Sequence, residues 1–329
     1  MKATARAHPN IALVKYWGKR DEARILPHQS SLSLTLAPIH VKTTVAWETG
    51  LDRDQVEING REATGTARDR VVQLLDAVRA ESGMHRHARM VSRGDFPEAA
   101  GLASSAAAFA ALAVAARSSA GLVSDTRKAS ILARTGSGSA CRSIQGGVCV
   151  WHRGEAVDGS DSFATQLHPA EDWPELRMVV AVVSRGEKDV KSRDGMRNTV
   201  ATSPYYPAWI EDAEQEIARA GAAIASRDLP ALGALAERNA WRMHATSLAA
   251  DPPLCYLLPE TLAVILAAKR AREEGLPVWF TLDAGPNPVL LTDAAHEEAV
   301  EALARNAGAI STVRCHPGGD ATLVEEHLF

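Results

Sequence analysis

The sequence contains little lysine and has no excess of positive charge. Of its 329 residues, 36 are Lys or Arg and 40 are Asp or Glu, so the formal net charge is −4. Only eight of the cationic residues are lysines. Proteins that bind nucleic acid or an anionic membrane through bulk charge carry a basic patch or stripe. We therefore expect neither nucleic acid nor a membrane as a partner, and any anion site must be local.

The sequence also lacks the cysteine patterns of zinc sites and disulfide frameworks. Its four cysteines form no C-x-x-C pair, which favours reduced, structural thiols in a cytoplasmic protein. The first ten residues contain no apolar segment of a secretory signal. The longest uncharged segment, residues 99–116, consists mainly of Ala, whereas membrane insertion requires Leu, Ile or Phe. This segment is therefore predicted to be a buried helix.

Two common nucleotide-binding signatures are absent. The Walker A pattern G-x-x-x-x-G-K-[ST] does not occur, and Gly136-Ser137-Gly138 lacks the third glycine of a dinucleotide fingerprint. A nucleotide would have to bind through another kind of loop.

The hydrophobic pattern predicts an α+β protein. At roughly 150 residues per domain, the length suggests two domains, which we place at 1–175 and 176–329 and expect to pack closely. Period-two spacing predicts strands and helical spacing predicts helices. Strands are expected at 41–47, 56–58, 88–91, 148–151, 178–183, 278–282 and 289–291, and helices from 67, from about 103, near 125–134, over 208–248 with a break near 228–230, and over 259–274. A last helix and a last strand are expected at the end of the chain.

A run of small residues from Pro97 to Ala106 leads into the predicted helix near 103. Small side chains allow a phosphate to approach the free N–H groups of a first helical turn, and Ser104 and Ser105 add hydroxyl donors. The alternative is a serine-capped helix start that makes a close contact with another helix.

The segment from Asn10 to Asp21 contains Lys15 and Lys19, interleaved with Tyr16 and Trp17. In an extended segment both lysines face the same side, because their separation is even. Cations beside rigid aromatic walls could line one anion pocket. The alternative is an ordinary solvated strand edge.

Two further segments carry polar residues that could take part in binding or catalysis. Residues 135–143 combine hydroxyls with Arg142, which suits a carboxylate or phosphate, although such a hydroxyl-rich loop would normally be a flexible linker. In F-T-L-D-A-G-P-N at 280–287, Asp283 ends a strand beside Gly285-Pro286. Asp283 is either a turn former or a general base.

Together these segments resemble the diphosphomevalonate decarboxylase family of the GHMP kinase superfamily. The resemblance extends through L-P-x-x-S-S-L-S-L-T-L at 26–36, S-R-D-G-M-R-N-T-V-A-T-S-P at 192–204 and M-H-A-T-S at 243–247. It implies a GHMP kinase fold, with an N-terminal domain related to a ribosomal-protein domain, a ferredoxin-like C-terminal domain and the active site between them. It also implies ATP-dependent decarboxylation of mevalonate 5-diphosphate to isopentenyl diphosphate, with Mg²⁺, by a homodimer.

The resemblance assigns roles to individual residues. Asp283 would engage the C3 hydroxyl that attacks ATP, Arg142 would hold the C1 carboxylate, and Lys15 would lie near the reacting groups. His244, in M-H-A-T-S, is interpreted as a satisfied packing histidine. The implied substrate-binding residues are Asn10, Tyr16, Lys19, Arg70, Ser137, Ser139, Arg142 and Ser192. The implied nucleotide site is Ala99, Ala100, Gly101, Leu102, Ala103, Ser104 and Ser105, with Ser105 also on the metal.

The sequence departs from the family at Gln29, where Asn is frequent, and at Gly94-Asp95. Two related activities stay open: decarboxylation of mevalonate 5-phosphate, and a 3-kinase that stops after phosphorylating C3. The joint presence of Asp283, Lys15 and Arg142 favours decarboxylation over the kinase. A nucleic-acid-binding module, conceivable from the expected N-terminal fold, is disfavoured by the net charge.

Overall fold

Runs of strands and runs of helices follow one another along the chain, and the α+β prediction is confirmed. The computed structural model describes residues 1–95, 104–186 and 188–329. The strands are β1 Lys2–Ala7, β2 Asn10–Val14, β3 Lys19–Asp21, β4 Leu26–Pro27, β5 Ser31–Ala37, β6 Val41–Glu48, β7 Gln55–Ile58, β8 Arg61–Glu62, β9 His87–Gly94, β10 Val148–Trp151, β11 Ala164–His168, β12 Leu176–Val182, β13 Trp279–Thr281, β14 Val289–Asp293, β15 Ser311–Pro317 and β16 Thr322–Val324. The α-helices are α1 Gly65–Ser82, α2 Ser104–Ser119, α3 Thr126–Gly136, α4 Ser192–Thr202, α5 Tyr206–Glu211, α6 Ala213–Ala225, α7 Leu229–Leu248, α8 Pro259–Glu273 and α9 Glu297–Asn306, and 3₁₀ helices span Gly138–Ser143 and Ala170–Asp172.

One sheet has the strand order β16-β1-β6-β9-β7-β8. Its β6 and β9 pair antiparallel along their whole length, whereas β7 runs parallel to β9. Helix α2 packs against β1 and β6, and its alanines allow close approach to the sheet. Helix α1 covers the same core with its buried side chains Val71, Leu74, Leu75 and Val78. The Ala-rich segment is thus a buried helix where the structure describes it.

The second sheet joins strands from both ends of the chain. Its order is β11-β10-β5-β15-β12-β14-β13, with β2 paired to β5. Strand β15 bridges the two parts, since it pairs with β12 and also places His316 opposite Ala37 of β5. The last strand, β16, returns to pair with β1. Strands from both sides of residue 175 therefore share sheets, and the division into two domains stays a prediction.

Helices cover both faces of the second sheet around β12. Alternate residues of β12 point to opposite faces because strands have a side-chain period of two. One set packs under α6 and α7, and the other packs under α8 and α9. The first set is Met178, Val180 and Val182, and the second is Val179 and Ala181, which Val183 continues just after the strand. A strand buried on both faces explains the continuous apolar run at 178–183.

The hydroxyl-rich segment 135–143 is not a flexible loop. Helix α3 continues to Gly136, and residues from Gly138 to Ser143 form a 3₁₀ helix. Strands β1 to β5, β8 and β11 and helix α4 are among the elements that the periodicity did not predict.

All four cysteines are free, as expected, and only Cys255 is exposed. Across residues 1–95, 104–186 and 188–329, no helix is long and apolar enough to span a membrane.

The turn after the 3₁₀ helix meets the returning C-terminal segment backbone to backbone. Gly147 donates its N–H to the Gly318 carbonyl at 2.7 Å, and Gly146 donates to Asp320 Oδ1 at 2.7 Å. A Cβ atom at Gly146 would overlap the backbone of Gly318 and Gly319. Glycine is therefore required at 146 by the crossing chain.

We expect Gly146→Ala to lower the free energy of unfolding by about 1–3 kcal/mol, because overpacking displaces backbone. Gly319→Ala is the matched control, since a Cβ there meets nothing within 4 Å. Denaturant unfolding measures both variants. Equal stability of the two variants would contradict this close crossing.

Candidate active site

An ion pair connects the two ends of the chain at the centre of the candidate site. Lys15 Nζ lies 2.6 Å from Asp283 Oδ1, and the same amine donates to the Ala12 carbonyl at 2.6 Å. The Lys15 side chain is 1% exposed, whereas that of Asp283 is 37% exposed. The carboxylate can therefore meet a ligand from the solvent side while the lysine supports it from within.

The charges of this pair depend on each other. Burial lowers the pKa of Lys15, the Asp283 carboxylate opposes that change, and Arg142 adds to it. Removing one member of a buried pair leaves an uncompensated charge. Asp283 thus supports the ammonium form of Lys15.

The turn that carries Asp283 is fixed by backbone contacts. Strand β13 ends at Thr281, whose hydroxyl donates to the Ala12 carbonyl at 3.1 Å. Gly285 donates its N–H to the Asp283 carbonyl at 2.7 Å, which closes the turn. Asn287 Oδ1 accepts the Val183 N–H at 2.8 Å. These contacts tie the turn to β2 and to the end of β12.

Arg142 lies buried in the 3₁₀ helix and is held by neutral oxygens. Its Nε donates to Ser33 Oγ at 2.9 Å, and a terminal nitrogen donates to Ser31 Oγ. Nε and the other terminal nitrogen lie 3.4 and 3.3 Å from Asn10 Oδ1. The guanidinium also lies 5.8 Å from the ring centroid of Trp151. Burial lowers the pKa of Arg142, while the Asp283 charge opposes that change.

Asn10 links Arg142 to the rest of the 3₁₀ helix. Its Nδ2 donates to the Ser139 carbonyl at 3.0 Å and to Ser143 Oγ at 2.7 Å. The structure therefore brings together three residues that the sequence predicted: Asn10, Ser139 and Arg142.

Tyr16 lies beside this group in an apolar setting. Its ring packs edge-to-face on Trp151 with centroids 4.7 Å apart, and burial raises the pKa of its hydroxyl. A Cβ at Gly138 would lie 2.9 Å from Tyr16 Cε1, so only glycine leaves room there. The Tyr16 hydroxyl has no hydrogen-bond partner among the described residues.

The expectation that Lys15 and Lys19 share one side of an extended segment is wrong. The chain leaves β2 at Val14, passes through Gly18 with φ +108°, and enters β3 only at Lys19. The Lys19 amine instead pairs with Glu22 Oε2 at 2.6 Å. The left-handed backbone at glycine breaks the alternation on which the prediction relied.

Positive charges nevertheless converge around Lys19. Burial lowers its pKa, Glu22 opposes that change, and Arg193 and Arg197 add to it. Arg197 lies 4.0 Å from Glu22 Oε2. Arg197 also lies 3.7 Å from Asp194 Oδ1, so three cations stand against two carboxylates, and the remaining positive charge suits a small polyanion.

Lys188 is a site residue that the sequence analysis missed. Its amine lies 3.5 Å from the hydroxyl of the predicted residue Ser192, the first residue of α4. Burial lowers the pKa of Lys188 and the Asp283 charge opposes this, so a second lysine lies within range of the same carboxylate. The scarcity of lysine is the only signal that could have singled it out.

The predicted nucleotide loop is described only at its end. Ala99, Ala100, Gly101, Leu102 and Ala103 lie outside the described residues, as does the side chain of Ser104. Ser105 is exposed in the first turn of α2, and its Oγ lies 3.2 Å from Oγ of the predicted residue Ser137.

A cavity of about 320 Å³ opens beside Ser105, with a mainly apolar lining that includes Phe109. Arg70 forms one wall, with its guanidinium 4.6 Å from the Phe109 ring centroid. Its Nε donates to the Gly136 carbonyl at 2.6 Å, and burial, with a contribution from Arg193, lowers its pKa to about 10. Periodicity alone gave no indication of this cavity.

The residues present suit a magnesium ion that arrives on a nucleotide. Within the described ranges, no three His, Cys, Asp or Glu side chains cluster as ligands for a metal. Mg²⁺ commonly takes one or two protein oxygens together with substrate phosphates and water. The exposed Ser105 hydroxyl and Asp283 carboxylate are oxygen donors of that kind.

His244 lies on the buried face of α7, next to the turn that carries Asp283. The predicted packing role fits its 2% exposure, but "satisfied" is wrong for Nε2, which has no hydrogen-bond partner among the described residues. Burial, followed by the Lys15 charge, lowers its pKa from 6.5 to about 4. His244 is therefore neutral at pH 7.

We expect His244 to weaken the fold in acid. Between pH 6.5 and 4 the unfolded chain binds one more proton at this side chain than the folded chain, so the free energy of unfolding falls as the pH falls. The loss amounts to about 3 kcal/mol across that window. His244→Gln removes this part of the slope, as measured by urea unfolding at several pH values. His152→Gln, at an exposed position, is the control. An unchanged slope in His244→Gln would refute this assignment.

Two family models match the chain. The diphosphomevalonate decarboxylase-like N-terminal domain matches residues 7–164, and the mevalonate 5-diphosphate decarboxylase C-terminal domain matches residues 178–316. A curated relative, diphosphomevalonate decarboxylase of Candida albicans, is 38% identical over 92% of this chain and 87% of its own length.

Solved structures agree along nearly the whole chain. The mevalonate diphosphate decarboxylase from Enterococcus faecalis has a TM-score of 0.91 and 39% identity over 99% of both chains. A structure described as MDDEF in complex with MVAPP, AMPPCP and magnesium has a TM-score of 0.92 and 40% identity over 99% of both chains. The expected GHMP kinase fold is confirmed by these neighbours. The chain belongs to the diphosphomevalonate decarboxylase family.

Proposed function

We propose that this chain catalyses the ATP-dependent decarboxylation of mevalonate 5-diphosphate to isopentenyl diphosphate, releasing ADP, phosphate and carbon dioxide. The observation that carries the proposal is the Lys15–Asp283 ion pair, with a partly exposed carboxylate and the buried Arg142 cation nearby. It brings a proton acceptor and cations to one place, as phosphoryl transfer to an alcohol requires.

The reaction begins at the C3 hydroxyl. Asp283 orients this hydroxyl and accepts its proton while the oxygen attacks the γ-phosphorus of ATP and ADP leaves. The Lys15 ammonium holds the carboxylate in place from the buried side. Phosphorylation turns a poor leaving group into a good one.

Decarboxylation then follows from the loss of that phosphate. Its departure from C3 takes the bonding electrons and builds positive charge on C3. The C1–C2 bond breaks, its electrons form the C2=C3 double bond, and carbon dioxide leaves. Arg142 holds the C1 carboxylate, and its rigid contacts with Asn10 and Ser33 fix the direction of that group.

The diphosphate end of the substrate is assigned to the cations around Lys19. Lys19 and Arg193 supply charge, and binding exchanges Glu22 for the ligand. The neutral donors proposed for this end are Tyr16, Ser137, Ser139 and Ser192.

The nucleotide is assigned to the region around Ser105. Residues 99–105 bind its phosphates, and the cavity lined by Arg70 and Phe109 takes its base, because an apolar slot suits a planar ring. Ser105 would hold Mg²⁺ together with the nucleotide phosphates, where the ion would neutralise phosphate charge. Arg70, which the resemblance assigned to the substrate, lies on the wall of this cavity.

We also propose a cytoplasmic homodimer with two domains, 1–175 and 176–329. The four free thiols fit a reducing compartment. The dimer rests on the family resemblance alone.

Asp283→Asn is expected to lower turnover at least about 100-fold, the scale of a positioned acid–base group, while the substrate still binds. Steady-state ADP release gives turnover, and calorimetry gives binding. Asp293→Asn, at the end of β14, is the control. Near-normal turnover in Asp283→Asn would refute its assigned role.

The function itself is tested with mevalonate, its 5-phosphate and its 5-diphosphate, each scored for ADP and carbon dioxide. The proposal predicts equal amounts of both products with the diphosphate. A preference for the 5-phosphate would show that this compound, and not the 5-diphosphate, is the substrate. Release of ADP without carbon dioxide would indicate a 3-kinase.

A further inference from the structure

The backbone of Lys15 is held on both sides by buried amides. Its N–H donates to Asn239 Oδ1 at 2.8 Å, and its carbonyl accepts from Gln29 Nε2 at 2.9 Å. Both amide residues are buried, with exposures of 2% and 3%. Residues 15–18 form no regular element, so these contacts replace a strand ladder at the point where Lys15 must be placed.

Asn239 is itself bound to a buried carboxylate that the proposed reaction does not use. Its Nδ2 donates to Glu216 Oε2, and the Glu216 side chain is only 2% exposed. The other carboxylate oxygen, Oε1, accepts from Arg238 at 3.3 Å and from Arg242 at 3.1 Å. The two oxygens of Glu216 thus face different partners.

This arrangement determines which way the Asn239 amide points. An ionised carboxylate can only accept hydrogen bonds, so Glu216 admits the NH₂ group of Asn239 and not its oxygen. With the NH₂ group directed to Glu216, the oxygen faces the Lys15 N–H. The reversed amide would place one donor against another at Lys15 and one acceptor against another at Glu216, and each buried mismatch is costly.

We propose that Asn239 and Glu216 are positioning residues that fix Lys15 against Asp283, with the Glu216 carboxylate setting the orientation of the Asn239 amide. Neither side chain contacts a reacting group; both act through the Lys15 backbone. The inference rests on the proposed function, because it assigns to the pair the task of holding the Lys15 ammonium where phosphoryl transfer needs it.

Single variants disturb the arrangement in two ways. Asn239→Asp places two carboxylates against each other. In Glu216→Gln the NH₂ group of the new amide must face another donor, either the NH₂ group of Asn239 or the arginines. We expect each to lower kcat about 10–100-fold, because small misplacements of a catalytic group are costly, while KM for the phosphorylated substrate changes less than about 3-fold. The readouts are ADP release and the alkaline limb of the kcat–pH profile, which moves when Lys15 is displaced from Asp283.

The double variant Glu216→Gln with Asn239→Asp provides a rescue. The introduced glutamine can accept from the arginines with its oxygen and donate to the introduced carboxylate, which still accepts the Lys15 N–H. Every one of these groups then has a hydrogen-bond partner, and the two side chains at positions 216 and 239 together keep one negative charge. We therefore expect kcat to return to within about 3-fold of the original value, and the alkaline limb to return with it.

Glu301→Gln provides a matched control. Glu301 also binds two arginines, Arg305 and Arg314, and one neutral donor, Thr312, but it lies on α9. This variant should lose stability without loss of kcat. Thermal unfolding is measured for every variant so that folding losses are separated from catalytic ones.

Two results overturn the proposal. Either the folded single variants keep kcat within about 3-fold of the original chain, or the folded double variant remains as slow as the single variants. If Asn239→Asp does not fold, the kcat values of Glu216→Gln and of the double variant test the proposal. Failure of the original chain to release ADP with mevalonate 5-diphosphate refutes the proposed function instead, so the two failures are distinct.

Discussion

The rest of the site depends on the buried ion pair between Lys15 and Asp283. The pair joins the segment after β2 to the turn after β13, across most of the sequence length. Lys15 is almost fully buried, so its charge is tolerated only with a partner and with the Ala12 carbonyl. Strands shared between the chain ends make the pair possible, because β15 connects β5 with β12 in one sheet.

Around this pair, polar side chains are buried in order to place charges. Asn10 and two serines orient Arg142, Asn239 and Gln29 hold the Lys15 backbone, and Glu216 orients Asn239. Buried polar groups cost free energy unless they are hydrogen-bonded, so a connected network fixes one arrangement. The result is a rigid set of cations with one accessible carboxylate, while Lys188 and the Lys19 cluster bring further positive charge.

Much of the fold was predictable because most elements repeat apolar residues at the strand or helix period. The chemistry-bearing motifs at Lys15, Arg142 and Asp283 were found from residue type and resemblance, and the structure brings Lys15 and Asp283 into contact. Asn239 left a detectable signal, a polar residue on the otherwise apolar face of α7 formed by Leu232, Leu235, Ala236 and Met243. The prediction that Lys15 and Lys19 face the same side was wrong because the hydrophobic pattern does not reveal the positive φ of Gly18. For Lys188 the sequence offered only the scarcity of lysine, since long-range packing brings it near Asp283.

NMR titration of protein labelled at lysine Cε, with the signal assigned by Lys15→Arg, measures the pKa of Lys15 and shows whether Asp283 supports its charge. We expect Lys15 to titrate below the exposed lysines. In Asp283→Asn its pKa falls by at least about one further unit, because an opposite charge at this distance is worth about 1–3 units. A Lys15 that titrates with the exposed lysines, or whose pKa is unchanged in Asp283→Asn, would contradict a buried ion pair between Lys15 and Asp283.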